Sequence, residues 1–296
     1  MRIASLVPSA TEMLFALGLG DDVVAVTHEC DHPAAVEALP RLTRSMIAAG
    51  LEPADIDAAV RERVGAGQSL YALDTDVLAE LAVDLIVTQQ VCSVCAVSSD
   101  DVRAIAARLP SRPRVLSLDP ALLGDVLDDA VTLGDAADVP KAGVTLRHEL
   151  ERRIEAVRDA VAGAEPVSVV ALEWLDPPYC GGHWVPEMIA AAGGADGLAK
   201  PGERSRRLGW EEIATAGVDV AIVMPCGLYA AEAEREAKRH RRRLGSLGVR
   251  EVHAVDAASS FSRPGPRLAD GVELLGHLLH PERVAPPGGL EWRRVS

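Results

Sequence analysis

Ile3-Ala4-Ser5-Leu6-Val7-Pro8-Ser9-Ala10-Thr11-Glu12-Met13-Leu14 opens the chain and decides its fold class. A short apolar run stops at a proline, and polar residues then lead into helical periodicity: a strand followed by a helix. Working outward, the same unit recurs. Apolar runs at 2–7, 23–27, 85–88, 114–118, 167–172, 220–224 and 251–255 are mostly β-branched-rich, flanked by polar or turn residues and followed by helical stretches. That alternation predicts an α/β protein built on parallel sheets.

The strands fall into two sets, and a chain of 296 residues suits two lobes of similar size. Between the sets lies a helical segment, 141–162, entered through Pro140, which suits a first helical turn because its missing N–H costs nothing there. Leu150, Ile154, Val157 and Val161 form one apolar stripe along it. The expected organisation is an N-terminal lobe over 1–120, a helical spine over 121–165, a C-terminal lobe over 166–284 and a loosely held Pro/Gly-rich tail over 285–296.

Aromatics are 3% of the residues, so the core has to be built from Ala, Val, Leu and Ile, as in buried parallel sheets. Acidic residues outnumber basic ones 44 to 30, a formal charge of −14, which argues against general affinity for nucleic acid or anionic lipid. One basic run, 235–243, interrupts this. It follows Glu232, Glu234 and Glu236 and reads as a solvated helix with i,i+4 pairs in preference to a phosphate-binding patch. No stretch approaches the ~18 apolar residues of a bilayer span, so no membrane insertion is expected. Met1-Arg2 leads straight into the first strand without an export-signal core, and the expectation is a cytoplasmic protein with reduced thiols.

In open α/β sheets ligands bind outside the carboxyl ends of the strands, and the polar residues of this chain gather there. Ser9 follows the first strand, Thr27-His28-Glu29-Cys30 the second, and Gln89-Gln90-Val91-Cys92-Ser93-Val94-Cys95 the third. Glu173-Trp174, Gly181-Gly182-His183-Trp184 and Pro225-Cys226-Gly227 occupy the second half. The sharpest local signal is Cys92-x-x-Cys95, whose thiols bind one soft metal, form a redox pair, or are two small buried hydrophobes. Cys30 and Cys226 also sit just past strands, which makes Cys30, Cys92, Cys95 and Cys226 the candidate metal ligands. They would form a closed four-thiolate site or three ligands with one open position, for zinc, copper(I) or an iron–sulfur cluster. The redox alternative draws on a helix N-cap at Ser98 or Ser99, since a helix N-terminus lowers a thiol pKa.

His28 and His183 are each a metal ligand, an axial base for a corrin ring, or a structural histidine at a turn. For His183 the functional reading is favoured, because Gly181 and Gly182 permit close backbone approach and Trp184 offers a flat apolar wall. Glu173-Trp174 pairs a carboxylate with an aromatic face. Arg263 is a candidate for an anionic ligand or cofactor, against a rigid turn with solvated arginines.

Ser5-Leu6-Val7-Pro8-Ser9-Ala10-Thr11-Glu12-Met13-Leu14 with Leu17-Gly18 resembles the start of the class III periplasmic binding proteins, the vitamin-B12- and iron-siderophore-binding components of ABC importers. The likeness continues through Asp84-Leu85-Ile86-Val87, Gly193-Gly194, Trp210-Glu211-Glu212-Ile213, 219–223 and Pro266-Arg267-Leu268. It implies two parallel-sheet α/β lobes joined by a long rigid backbone helix, with ligand in the interlobe cleft. The strand-end motifs are similar to a cytosolic branch of cobalamin-binding proteins. The leading expectation is a cytosolic binding protein for a corrinoid (cobalamin) or other metal-containing small molecule, contacted by Ser9, His28, Glu173, Trp174, His183, Trp184 and Arg263. The alternative is a metal- or iron–sulfur-dependent enzyme with Glu173 or His183 as acid/base. A third reading is an importer receptor whose signal has been removed and whose partner is an ABC permease.

Overall fold

Each of the seven expected runs carries a strand in the computed structural model, which describes residues 1–48, 50, 51, 53–66, 68–89 and 99–295. The chain divides into two compact units, Met1–Pro120 with Asp128–Arg147, and Ala121–Leu127 with His148–Ser296.

In the first unit the order is β1 (Ile3–Ser5), α1 (Pro8–Ala16), β2 (Val23–Ala25), β3 (Thr43–Ser45), α2 (Pro53–Gly65), β4 (Tyr71–Leu73), α3 (Thr75–Glu80), β5 (Leu85–Thr88), α4 (Ser99–Ala106) and β6 (Arg114–Ser117). Its sheet runs β2-β1-β5-β6 with every neighbour parallel. Ile3, Ala4, Ile86 and Val87 are fully buried, which is why these strands read as continuous apolar runs and not as alternating ones. Pro8 starts α1, and Gly18, at φ +80°, ends it in a left-handed conformation that favours glycine. β3 and β4, with α2 between them in the chain, form a separate two-stranded antiparallel sheet outside the seven expected runs.

Two helices follow, α5 (Leu123–Ala136) and α6 (Pro140–Ala160). Gly134 and Gly143 let them approach closely: a Cβ on Gly143 would lie 2.6 Å from the Ala130 carbonyl oxygen. α6 is the long connecting helix, one unbroken element whose residues 140–147 belong to the first unit and 148–160 to the second. Its expected stripe is buried at Leu150, Ile154, Val157 and Val161.

The second unit contains β7 (Val167–Leu175), β8 (Pro178–Cys180), α7 (Val185–Ala191), β9 (Gly194–Asp196), α8 (Trp210–Thr215), β10 (Val220–Val223), α9 (Ala230–Arg239), α10 (Arg241–Gly245), β11 (Glu251–Val255), α11 (Ala257–Ser260), α12 (Leu268–Leu279) and β12 (Trp292–Arg294). The sheet order is β12-β11-β10-β7-β8, with β9 beside the first half of β7. β7, β9, β10 and β11 are parallel, whereas β8 and β12 are antiparallel edge strands. The tail is therefore not loosely held: Trp292, Arg293 and Arg294 pair with Val255, Ala254 and His253. Arg153 on α6 pairs with Asp270 at 2.5 Å and Glu273 at 2.7 Å on α12, fixing the helix to this unit.

Candidate ligand-binding site

In the first unit the chain goes from β1 to one side of it and later returns to the other. The carboxyl ends of β1 and β5 are therefore a topological switch point, the place where open α/β sheets bind ligands. Ser9, in the first turn of α1, and Gln89, just past β5, are both buried there. Ser5, Thr11, Thr27 and Cys30 form a buried chain: Thr11 Oγ1 donates to Ser5 Oγ at 2.8 Å, and the Cys30 sulfur lies 3.1 Å from Thr11 Oγ1 and 3.3 Å from Thr27 Oγ1. His28 is exposed beside them. Its Nδ1 lies 2.7 Å from Thr43 Oγ1, the same hydroxyl that accepts its backbone N–H, and its ring meets Tyr71 at 5.6 Å.

The second unit has the same switch, since β9 and β10 flank β7 on opposite sides. The β7–β8 register slips by one residue at Glu173, and such bulges re-aim a side chain. The Glu173 carbonyl accepts the Cys226 N–H at 3.0 Å, which ties the end of β7 to the loop after β10. Its carboxylate accepts from Gly182 N at 3.1 Å and from the Ser205 hydroxyl. Desolvation pushes the Glu173 pKa up, and these two donors oppose the shift. Gly182 has no room for a side chain, because a Cβ there would lie 2.3 Å from Ser205 N. The close approach foreseen for the glycine pair thus admits a loop of the protein itself, the one that brings Ser205 to Glu173. Nothing in the sequence around Ser205 signals that role.

His183 adopts φ +54°, left-handed for a residue with a Cβ. Its backbone is clamped on both sides, its N–H donating to Glu203 O at 2.7 Å and its carbonyl accepting from Gly202 N at 2.9 Å. The ring stacks on Trp184 at 5.5 Å, and its Nδ1 is buried with no hydrogen-bond partner among the described residues. Burial, with the Arg204 charge second, holds its pKa below the usual histidine range, so the imidazole is neutral at pH 7. Trp184 itself is 5% exposed, its indole N–H donating to Phe261 O at 2.8 Å. It backs His183 and is not the open wall expected. Trp174 is half-buried, with Nε1 unpartnered among the described residues. Arg263 is half-buried in the loop between α11 and α12.

The thiolate centre finds no support here. Among the described residues no three His, Cys, Asp or Glu side chains form a group that could hold a metal ion. Cys92 and Cys95 lie outside the described residues. Cys30 is 2% exposed, its sulfur already engaged by two hydroxyls, while Cys226 is exposed in the loop after β10. The metal-dependent enzyme that rested on this centre loses its support with it.

The family model for periplasmic binding proteins matches residues 3–243. The chain belongs to the periplasmic binding protein family. This periplasmic binding protein is 23% identical over 280 residues to the vitamin B12-binding protein of Vibrio cholerae serotype O1, covering 92% of this chain and 86% of that one. Its fold is similar to the crystal structure of the periplasmic vitamin B12-binding protein of Vibrio cholerae, with TM-score 0.67, 21% identity and coverage of 94% and 96%. It also resembles the periplasmic heme-binding protein of that organism, with TM-score 0.70, 16% identity and coverage of 95% and 99%.

Membership overturns the cytoplasmic placement expected above. The family is one of periplasmic proteins, as are these solved vitamin B12- and heme-binding relatives, and the finding points to the periplasm. That expectation rested on the N-terminus, on the lack of a bilayer-spanning stretch and on the likeness to a cytosolic branch, and the case for reduced thiols falls with it.

Proposed function

We propose that this chain is the solute-binding component of an ABC importer and binds a metal-containing macrocycle, a corrinoid such as cobalamin or a heme, with an ABC permease as its partner. The observation that carries the reading is His183: a neutral imidazole held in a strained backbone conformation at a strand-end loop, backed by a buried indole. Strain of about 1–2 kcal/mol at a non-glycine left-handed residue persists where surrounding structure enforces it, and such residues cluster at ligand sites. A neutral imidazole offers a nitrogen lone pair to a metal, as a charged one does not. Glu173 and Trp174 complete the ligand-facing residues of the second unit, with Arg263 for a peripheral carboxylate. Ser9 and His28 are the candidates of the first. The family match and the vitamin B12- and heme-binding relatives support this ligand class.

The test is the visible spectrum of aquocobalamin and of hemin with wild type and His183→Ala. Imidazole ligation shifts the absorption bands on binding to wild type, and the variant abolishes that shift. Identical bound spectra for both proteins would remove His183 from the site.

A further inference from the structure

The cationic segment at residues 238–243 has no part in the function just proposed. Lys238 and Arg239 close α9, and Arg241, Arg242 and Arg243 open α10, five cations in six residues of a chain with formal charge −14. The solvated-helix reading accounts for part of it: Lys238 pairs with Glu234 at 2.7 Å and Arg239 with Glu236 at 2.9 Å. Arg243 meets Asp176 at 3.9 Å. Arg241 and Arg242 are exposed and form no ion pair among the described residues. Cations three and four residues apart along a helical path repel one another, so the arrangement is costly without a counter-charge.

The segment is also held rigidly. Leu244 and Leu247 anchor it in the core beside Leu175, Leu208 and Ile213. Trp210 stacks on His240 at 6.4 Å and 15°, and the Arg243 guanidinium lies 5.6 Å from its ring centroid. The Trp210 Nε1 is buried with no partner among the described residues. Asp176 and residues 238–243 wall a groove of about 490 Å³, within the ~300–1,000 Å³ of small-ligand pockets.

We propose that this groove is a second binding site, for a multiply charged oxyanion of the phosphate type. Exposed guanidinium groups such as those of Arg241 and Arg242 can bind such oxygens in bidentate fashion. Asp176, the one carboxylate among the described residues of the wall, engages Arg243 and leaves these two arginines to the anion. The site is independent of the macrocycle reading.

Calorimetric titration of the full chain with inorganic pyrophosphate at low ionic strength tests it. Saturable 1:1 binding is expected, weakened at least about tenfold in Arg241→Ala/Arg242→Ala. Arg241→Lys/Arg242→Lys keeps the charges but not the fork and falls between the two. Both side chains are exposed, so thermal unfolding of all three proteins should coincide, and the lysine variant serves if the alanine variant is destabilised. Absence of saturable binding, or equal affinity in wild type and both double variants, overturns the proposal.

Discussion

At the scale of single residues, Glu173 and His183 carry opposite shifts. Glu173 has its pKa raised by burial, so its folded-state value lies above the unfolded one. The stability this contributes is present below the ordinary carboxyl pKa and is lost as pH rises through the raised folded value. Glu173→Gln removes the titration. The stability of the variant relative to wild type should rise from acid to neutral pH in parallel urea melts, and a relative stability that falls over that range contradicts the burial account. His183→Gly relieves the left-handed strain, so its thermal midpoint should match or exceed that of wild type while ligand affinity drops. Gly182→Ala forces a Cβ against Ser205 N, and a loss of about 1–3 kcal/mol is expected by urea denaturation.

Elements were legible where periodicity alone decides them. The seven strands and the α6 stripe showed because fully buried parallel strands and a one-faced helix leave strong apolar patterns. β8, β9 and β12 carry no apolar run: Pro178-Tyr179-Cys180 begins with a proline, which cannot donate to a sheet ladder, Gly194-Ala195-Asp196 has no β-branched residue, and Trp292-Arg293-Arg294 is mostly charged. Missing β8 also hid the last three residues of β7, and so the bulge that aims Glu173. Of the site, the strand-end loops could be read, because their polar residues interrupt apolar runs. The partners could not: Ser205 and Phe261 reach Glu173 and Trp184 from loops far along the chain. Tight crossing of α5 and α6 was equally silent. Gly143→Val should cost several kcal/mol in thermal or urea unfolding, since backbone of α5 lies 2.6 Å from the new Cβ; a midpoint equal to that of wild type contradicts the crossing.

For the whole molecule, the family resemblance implies the fold, whereas an N-terminus, the lack of a bilayer span and a likeness of strand-end motifs are weaker evidence of compartment than 241 matched residues, 3 to 243 inclusive. The function turns on ligand class, which calorimetric titration with cyanocobalamin and with hemin tests most directly. Saturable one-to-one binding of at least one of them, weakened in His183→Ala, is the result expected. No saturable binding of either macrocycle at ~100 μM would contradict the account.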